Sequence, residues 1–412
     1  MVLLASLGGT LEFYDFVVFG IFAKDIADAV FPAASPLASL MASFAAFAAG
    51  YLARPIGGIV LSHFGDRYGR RAVFLWSVFI MSGATLGMGL VPSFASIGIA
   101  ASVLMVALRI IQGLCLGGEL PGALTYVVET APKAAPFVCG LVFSCVTLGV
   151  AAATGVSVSV RTLLDPAVIA TTGWRIAFIV GGLGGVLSFV LRQSLHESPE
   201  FTKMKALAVR HPFAEVLTTR PAHVLTGIAL LAGTACFNGL FFSHLPAYLS
   251  AVLKYDPRQA VAAQTTGVIV SSLCILLVGR IASSVAPRYL LRAGVVLLMV
   301  GAVPFYGALE SRSLGLTTTL VLAGLAAGLT NGSFAVLLTD LFPTQVRFTG
   351  VALVFNVAFT IFSGMSPLFA TSMIRSTGSV VAPAWLMIGS AAIALAGSFG
   401  VKRLGGQVLS QR

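Results

Sequence analysis

Two acids three residues apart, Glu12 and Asp15, stand inside the first long apolar run, and an arginine, Arg109, stands inside the fourth. Residues three apart share one helical face, and at 1.5 Å per residue the pair lies roughly 12 to 18 Å into a helix that starts near residue 3. A carboxylate at that depth in hydrocarbon costs about 2.5 to 3.5 kcal/mol on insertion scales, so it faces a cavity and finds a partner or keeps its proton. The expected partner is the stripe Arg109, Gln112, Leu116 and Glu119, which recurs at helical spacing. An acid balanced by an arginine in one arrangement and desolvated in another changes its proton affinity between the two. Coupling a proton to a movement requires that change. A static ion pair joining two helices would use the same residues, and the spacing leaves both readings open.

A second arginine, Arg54, lies inside the second run, where it is a snorkelling residue, a partner for Glu12 or Asp15, or a clamp for a ligand carboxylate. The polar residues within runs of the second half are nearly all neutral: Asn238, His244, Thr330, Asn331 and Asn356. By their positions within that half they are expected to line the far wall of a shared cavity. Arg54, Arg109, Gln112, Asn238, Asn331 and Asn356 are therefore the candidate ligand contacts. His244, close to Pro246 near the end of its run, reads as an interfacial hydrogen-bonder or, less simply, a proton relay.

The elements that must hold these residues follow from composition. Hydrophobic residues make up 58% of the 412, charged residues only 9%, and the mean hydropathy is +0.98, far from the quarter or so of charged residues in soluble domains. Runs of membrane-spanning length cover 3–30, 37–61, 72–91, 97–128, 137–160, 174–191, 224–249, 260–281, 290–309, 316–338, 348–373 and 381–401. They are too long, and too little alternating, for barrel strands. The expected fold is an all-α membrane protein of twelve transmembrane helices in two pseudo-symmetric six-helix bundles, residues 1–191 and 222–412, joined by a polar linker over 192–221. The first run carries acids and lacks a basic leader, so it reads as a span and not as a cleaved signal.

Gly65 to Arg71 forms a knot of four charges, Asp66, Arg67, Arg70 and Arg71, which reads as a tight water-facing turn between the second and third spans. If that turn is cytoplasmic, sixteen of the 25 Lys and Arg residues share its face and seven lie opposite, with Arg54 and Arg109 inside spans. The excess places both termini in the cytoplasm by the positive-inside rule. Sliding 112–132 by 211 positions lays Gly113, Leu114, Gly117 and Pro132 on Gly324, Leu325, Gly328 and Pro343, and Glu129 on Asp340. An internal repeat of this kind is frequent in secondary transporters. In each copy the Gly-xxx-Gly pair reads first as a helix-packing device.

A net charge of +11 suggests nucleic acid only when it is clustered on a folded surface, and here it sits in loops between spans. The five cysteines show no CxxC spacing and read as buried packing residues. No phosphate loop, HExxH pair or GxSxG turn is present. No metal, cofactor or catalytic residue is expected, and the chain is expected to act as a monomer in the lipid bilayer.

The motifs themselves carry a resemblance. The chain is similar to the major facilitator superfamily, and within it to the metabolite:proton symporter family, whose members carry citrate, 2-oxoglutarate, shikimate, or proline and betaine. The matching residues are Glu12-Phe13-Tyr14-Asp15-Phe16, Arg54-Pro55 with Gly57-Gly58, the Asp66 turn, Arg109 to Gly113 with Gly117-Gly118-Glu119, Trp174-Arg175, Glu197 to Phe201, and Leu341-Phe342-Pro343 with Arg347 and Gly350. Ser62 departs from the superfamily pattern, where glycine is usual, and the fifth span lacks a Gly-Pro pair, which leans away from drug–proton exchange.

The resemblance implies proton-coupled symport of a small organic acid or zwitterion by alternating access, in a bacterial inner membrane. An uncoupled facilitator, an exporter or a non-transporting receptor of the same fold remain the alternatives. It implies proton coupling at Asp15 and Arg109, with Glu12 and Glu119 nearby. It also implies a cytoplasmic gate in which Asp66 meets an arginine or a helix end, surrounded by Arg67, Arg70, Arg71, Glu129, Asp340 and Arg347.

Overall fold

The computed structural model describes residues 2–68, 70–165, 168–193 and 212–409, without the side chains of 2–8, 11, 12, 16, 62–74, 170, 191, 192 and 212. Among the described residues every regular element is a helix. Among the described residues ten helices are long and apolar enough to cross a membrane, from Pro36–Leu61 to Pro383–Leu404. The first span, Val2–Ile21 continued by Ala23–Val30, and the third, Arg70–Leu90, complete the twelve. Trp76, Leu183, Leu225, Leu277, Val300 and Trp385 are each more than half exposed. Such apolar exposure suits lipid and would be a liability in water.

The face of the bundle that carries the helix Pro212–Thr219 is called here the linker face, and the opposite one the far face. On the linker face the knot from Gly65 to Arg71 differs from the expected loop. The second span stays helical to Tyr68 and the third is helical from Arg70, so both helices reach into the stretch expected to be a loop. The side chains of Asp66, Arg67, Arg70 and Arg71 lie outside the described residues.

Packing follows the repeat. In the first half the first span lies against the fifth, the second against the fourth and the third against the sixth; in the second half the seventh lies against the eleventh and twelfth, the eighth against the tenth and the ninth against the twelfth. The glycines singled out by the 211-residue shift do the same work in both copies. A Cβ on Gly113 would strike the Gly50 carbonyl of the second span, and one on Gly324 would strike the Gly267 carbonyl of the eighth. Gly117 meets the backbone at Arg54 and Gly58, and Gly328 meets Cys274. Without a hydrophobic drive between helices in lipid, close backbone approach is what makes such pairs associate.

Two spans expected as single helices are broken. The fourth runs Ile99–Leu116, turns at Gly117 and Gly118, and resumes as Glu119–Thr130. The tenth runs Leu316–Asn331, turns at Gly332 and Ser333, and resumes as Phe334–Asp340. The seventh and eleventh instead contain wide π-helical turns, Gly239–His244, Tyr248–Val252 and Phe359–Gly364.

The halves meet along the fifth and eighth spans, the second and eleventh, and the first and seventh. At the fifth and eighth the contact is almost bare backbone, since a Cβ on Gly140 would fall 2.9 Å from the Gly279 Cα. One turn further in, Ser144 Oγ donates to the Ser272 carbonyl at 3.0 Å and Ser272 Oγ donates to the Ser144 carbonyl at 2.9 Å.

Candidate functional site

Asp15 and Arg109 belong to one buried chain inside the first half. Asp15, on the first span, is 1% exposed and Arg109, on the fourth, is fully buried. Arg109 Nη1 donates to Gln112 Oε1, one turn on. Gln112 Nε2 donates to Thr85 Oγ1 of the third span at 2.9 Å. Thr85 Oγ1 in turn lies 3.0 Å from the Met81 carbonyl and 3.4 Å from Asp15 Oδ2. A hydroxyl has one proton to give, so Thr85 serves the backbone or the carboxylate, not both.

Asp15 Oδ1 has no hydrogen-bond partner among the described residues. It lies against Gly181 of the sixth span, where a Cβ would collide with it, and one turn on a Cβ at Gly185 would collide with Ser82. The Arg109 guanidinium sits over the rings of Phe19 and Phe47, 4.3 and 5.0 Å from their centres. Rings in this position stabilise a cation electrostatically without supplying a countercharge. The expected partnership is therefore realised at one remove, through Gln112 and a threonine that sequence spacing did not single out. It is one of three hydroxyls in the third span, with Ser77 and Ser82, and nothing in the sequence sets it apart from them.

Glu119 does not continue the stripe. The turn at Gly117 and Gly118 places it at the start of a new helix, half-buried, in the first turn where an acid suits the helix dipole. The side chain of Glu12 lies outside the described residues.

Arg54 occupies a different place. It is 1% exposed on the second span, with its guanidinium carbon 5.3 Å from the ring centre of Tyr51 and 5.9 Å from that of Phe355, on the eleventh span of the other half. Around it the halves are stitched by polar contacts. Tyr51 and Ser363 share a hydroxyl hydrogen bond at 3.1 Å, and Thr360 Oγ1 donates to the Tyr51 carbonyl at 2.8 Å. Asn356 Nδ2 donates to the Gly117 carbonyl at 2.5 Å, at the break in the fourth span, and among the described residues its buried Oδ1 has no partner. Tyr51, Thr360 and Ser363 were not anticipated; hydroxyls in apolar runs are too common to stand out.

Asn238 and Asn331 are buried and face each other. Each amide donates to the other's oxygen, at 3.1 and 3.2 Å, joining the seventh and tenth spans within the second half. His244 is 1% exposed; Nε2 lies 3.1 Å from Thr371 Oγ1, whose own proton goes to the Pro367 carbonyl, so the histidine donates from Nε2.

On the linker face Arg347 Nη1 meets Glu129 Oε1 at 2.9 Å, joining the halves, while Arg347 Nε holds the Phe342 carbonyl at 3.1 Å. Asp340, the repeat partner of Glu129, does something else. Its carboxylate accepts from the backbone N–H of Gly406, Val408 and Leu409 at 2.8, 2.6 and 2.9 Å and so fixes the stretch after the twelfth span. Among the described residues no cluster of His, Cys, Asp or Glu has the geometry of a metal site.

The sequence pattern of the Major Facilitator Superfamily matches residues 5–367. The chain is 32% identical over 390 residues to the citrate-proton symporter of Klebsiella pneumoniae, covering 94% of this chain and 88% of that one. It is 29% identical over 405 residues to the proline/betaine transporter of Escherichia coli (strain K12), covering 95% and 81%. Among solved structures, the proton:xylose symporter XylE bound to 6-bromo-6-deoxy-D-glucose superposes with a TM-score of 0.76 over 99% of this chain and 96% of that one; at 15% identity this likeness speaks for the fold alone. The chain therefore belongs to the major facilitator superfamily, and within it to the metabolite:proton symporter family, which makes it a multi-pass membrane transporter and not an enzyme.

Proposed function

We propose that this transporter is a proton-coupled symporter that imports a small organic acid or zwitterion by alternating access. Residues 1–191 and 222–412 act as the two rocking halves and 192–221 as their linker. The observation that carries this reading is the separation of two buried arginines. Arg109 sits with Asp15, Gln112 and Thr85 inside one half, whereas Arg54 sits where the halves meet. Asp15 is then the proton carrier and Arg109 its electrostatic counterweight, both shielded from the solute. Arg54, Tyr51, Asn356 and Ser363 are the groups a carboxylate would meet between the halves, with Asn238 and Asn331 stiffening the opposite wall.

Proton arrival at Asp15 removes a charge from a site whose hydroxyl partner, Thr85, is already shared with the backbone, and so changes how the first, third and sixth spans pack. Glu129 with Arg347 latches the linker face while the far face loads. The charge excess of the linker-face loops supports a cytoplasmic linker face with both termini inside, in a bacterial inner membrane. The named relatives are symporters of citrate with protons and transporters of proline and betaine, which supports the substrate class.

The test is uptake into proteoliposomes under an imposed pH gradient, with citrate, proline and glycine betaine as trial solutes. Accumulation above equilibrium with an acidic far face supports symport; entry that only equilibrates indicates an uncoupled facilitator.

A further inference from the structure

A polar cavity opens at the far face, with neither Asp15 nor Arg54 in its lining. It is a small cleft of about 50 Å³ that opens to the outside, lined by Lys24, Asp25 and Arg161 of the first half and by Pro246, Ser250 and Val261 of the second, among others. It therefore straddles the two halves on the side from which an importer loads.

Its charges are built in. Arg161 Nη2 meets Asp25 Oδ2 at 2.6 Å, with the two side chains 10% and 12% exposed. Arg161 Nε reaches Ser157 Oγ at 3.3 Å, and the guanidinium lies 5.2 Å from the ring centre of Phe22. The pair is joined by one leg only. Among the described residues Arg161 Nη1 and Asp25 Oδ1 carry no hydrogen bond, which leaves donor and acceptor capacity on two residues that line the cavity. Lys24 is taken by Asp28 at 3.2 Å in an exposed pair. On the facing wall Ser250 Oγ gives its proton to the Pro246 carbonyl at 2.8 Å and so can only accept.

We infer that this cavity is a reception site for a small zwitterion, whose carboxylate docks on Arg161 and whose cationic end faces Asp25 and the Ser250 oxygen. A neutral zwitterion matches a pair of opposite charges without changing their sum. A polycarboxylate would set further negative charge beside Asp25, which disfavours it there. The site rests on the reading of this protein as a carrier that loads small solutes from the far face, and it differs from the contact around Arg54.

The test is equilibrium binding of radiolabelled proline and glycine betaine, with citrate as the counter-probe, to the full chain in nanodiscs. Arg161→Gln alone leaves a buried carboxylate behind and could fail to fold, so D25N/R161Q, which removes both charges, is the main variant. Expected are two zwitterions bound per wild-type chain and one per variant chain. KM for zwitterion uptake should rise by at least about tenfold, the loss of one charge-assisted contact, at unchanged maximal rate. D15N should abolish gradient-driven uptake and keep both bound zwitterions. A wild-type chain that binds one zwitterion or none, citrate binding at the second site, or a variant with wild-type stoichiometry and KM overturns the proposal. If wild type shows no proton-driven uptake yet the stoichiometry still falls from two to one, the reception site stands and the coupling reading fails.

Discussion

Asp15→Asn isolates the charge of the first span from its shape. The amide has the size of the carboxylate, the Thr85 hydroxyl can still donate to its oxygen, and Gly181 and Gly185 leave no room for anything longer. Removing a carboxylate from mid-membrane relieves a cost of about 2.5 to 3.5 kcal/mol on insertion scales, so the variant should unfold no earlier than wild type. Asp15→Glu, by contrast, should be the less stable protein, because its extra methylene must push against glycine backbone.

The coupling loss can be sized separately. A gradient of about two pH units supplies about 2.7 kcal/mol per proton, enough for one proton to accumulate a neutral solute about a hundredfold. Asp15→Asn should bring that ratio to about one while sparing solute-for-solute counterflow, a step in which no net proton moves. Paired measurements in proteoliposomes, uptake under the gradient and counterflow without it, read both. Uphill accumulation by a well-folded Asp15→Asn protein would refute the argument outright.

Three further outcomes are expected. Arg54→Gln should weaken binding of a carboxylate-bearing substrate by about 10- to 100-fold, the range of a lost charged hydrogen bond of about 1.5 to 3 kcal/mol, and Arg54→Lys should not restore it; thermal-shift titration measures this, and unchanged affinity removes Arg54 from the binding site. Asn238→Ala and Asn331→Ala should be non-additive by about 0.6 kcal/mol in unfolding, the average for interhelical hydrogen bonds in membranes; full additivity would mean that the reciprocal amides contribute nothing as a pair. Glu129→Arg should slow transport several-fold, and adding Arg347→Glu should recover most of it, because the swapped pair can still close the 2.9 Å contact; failure of the double variant to recover argues that the contact is incidental.

Much of this molecule was legible in its sequence because lipid makes charge conspicuous. Asp15, Arg54 and Arg109 stood out simply as ionisable residues in apolar runs, and all three are buried in the structure. The 211-residue shift found the glycines of the fourth and tenth spans, whose close contacts with the second and eighth repeat across the halves. What composition hides is who meets whom. The shift paired Glu129 with Asp340, yet one reaches the opposite half and the other caps the backbone after the twelfth span. Arg161 counted as one more loop charge although it is packed against Asp25. Thr85 carries the link between Gln112 and Asp15, and one hydroxyl among many gives no warning of that. The helix breaks at Gly117 and Gly332 depend on tertiary contacts that no local window contains.

The meeting of Gly140 with Gly279 has a practical side. Nothing but main chain separates the fifth and eighth spans there, so any bulky residue installed at position 140 would act as a doorstop, propping the linker-face end of the seam apart. If the halves rock as proposed, a protein jammed in that way would display to antibodies, probes or inhibitors inner surfaces that are otherwise open only in passing.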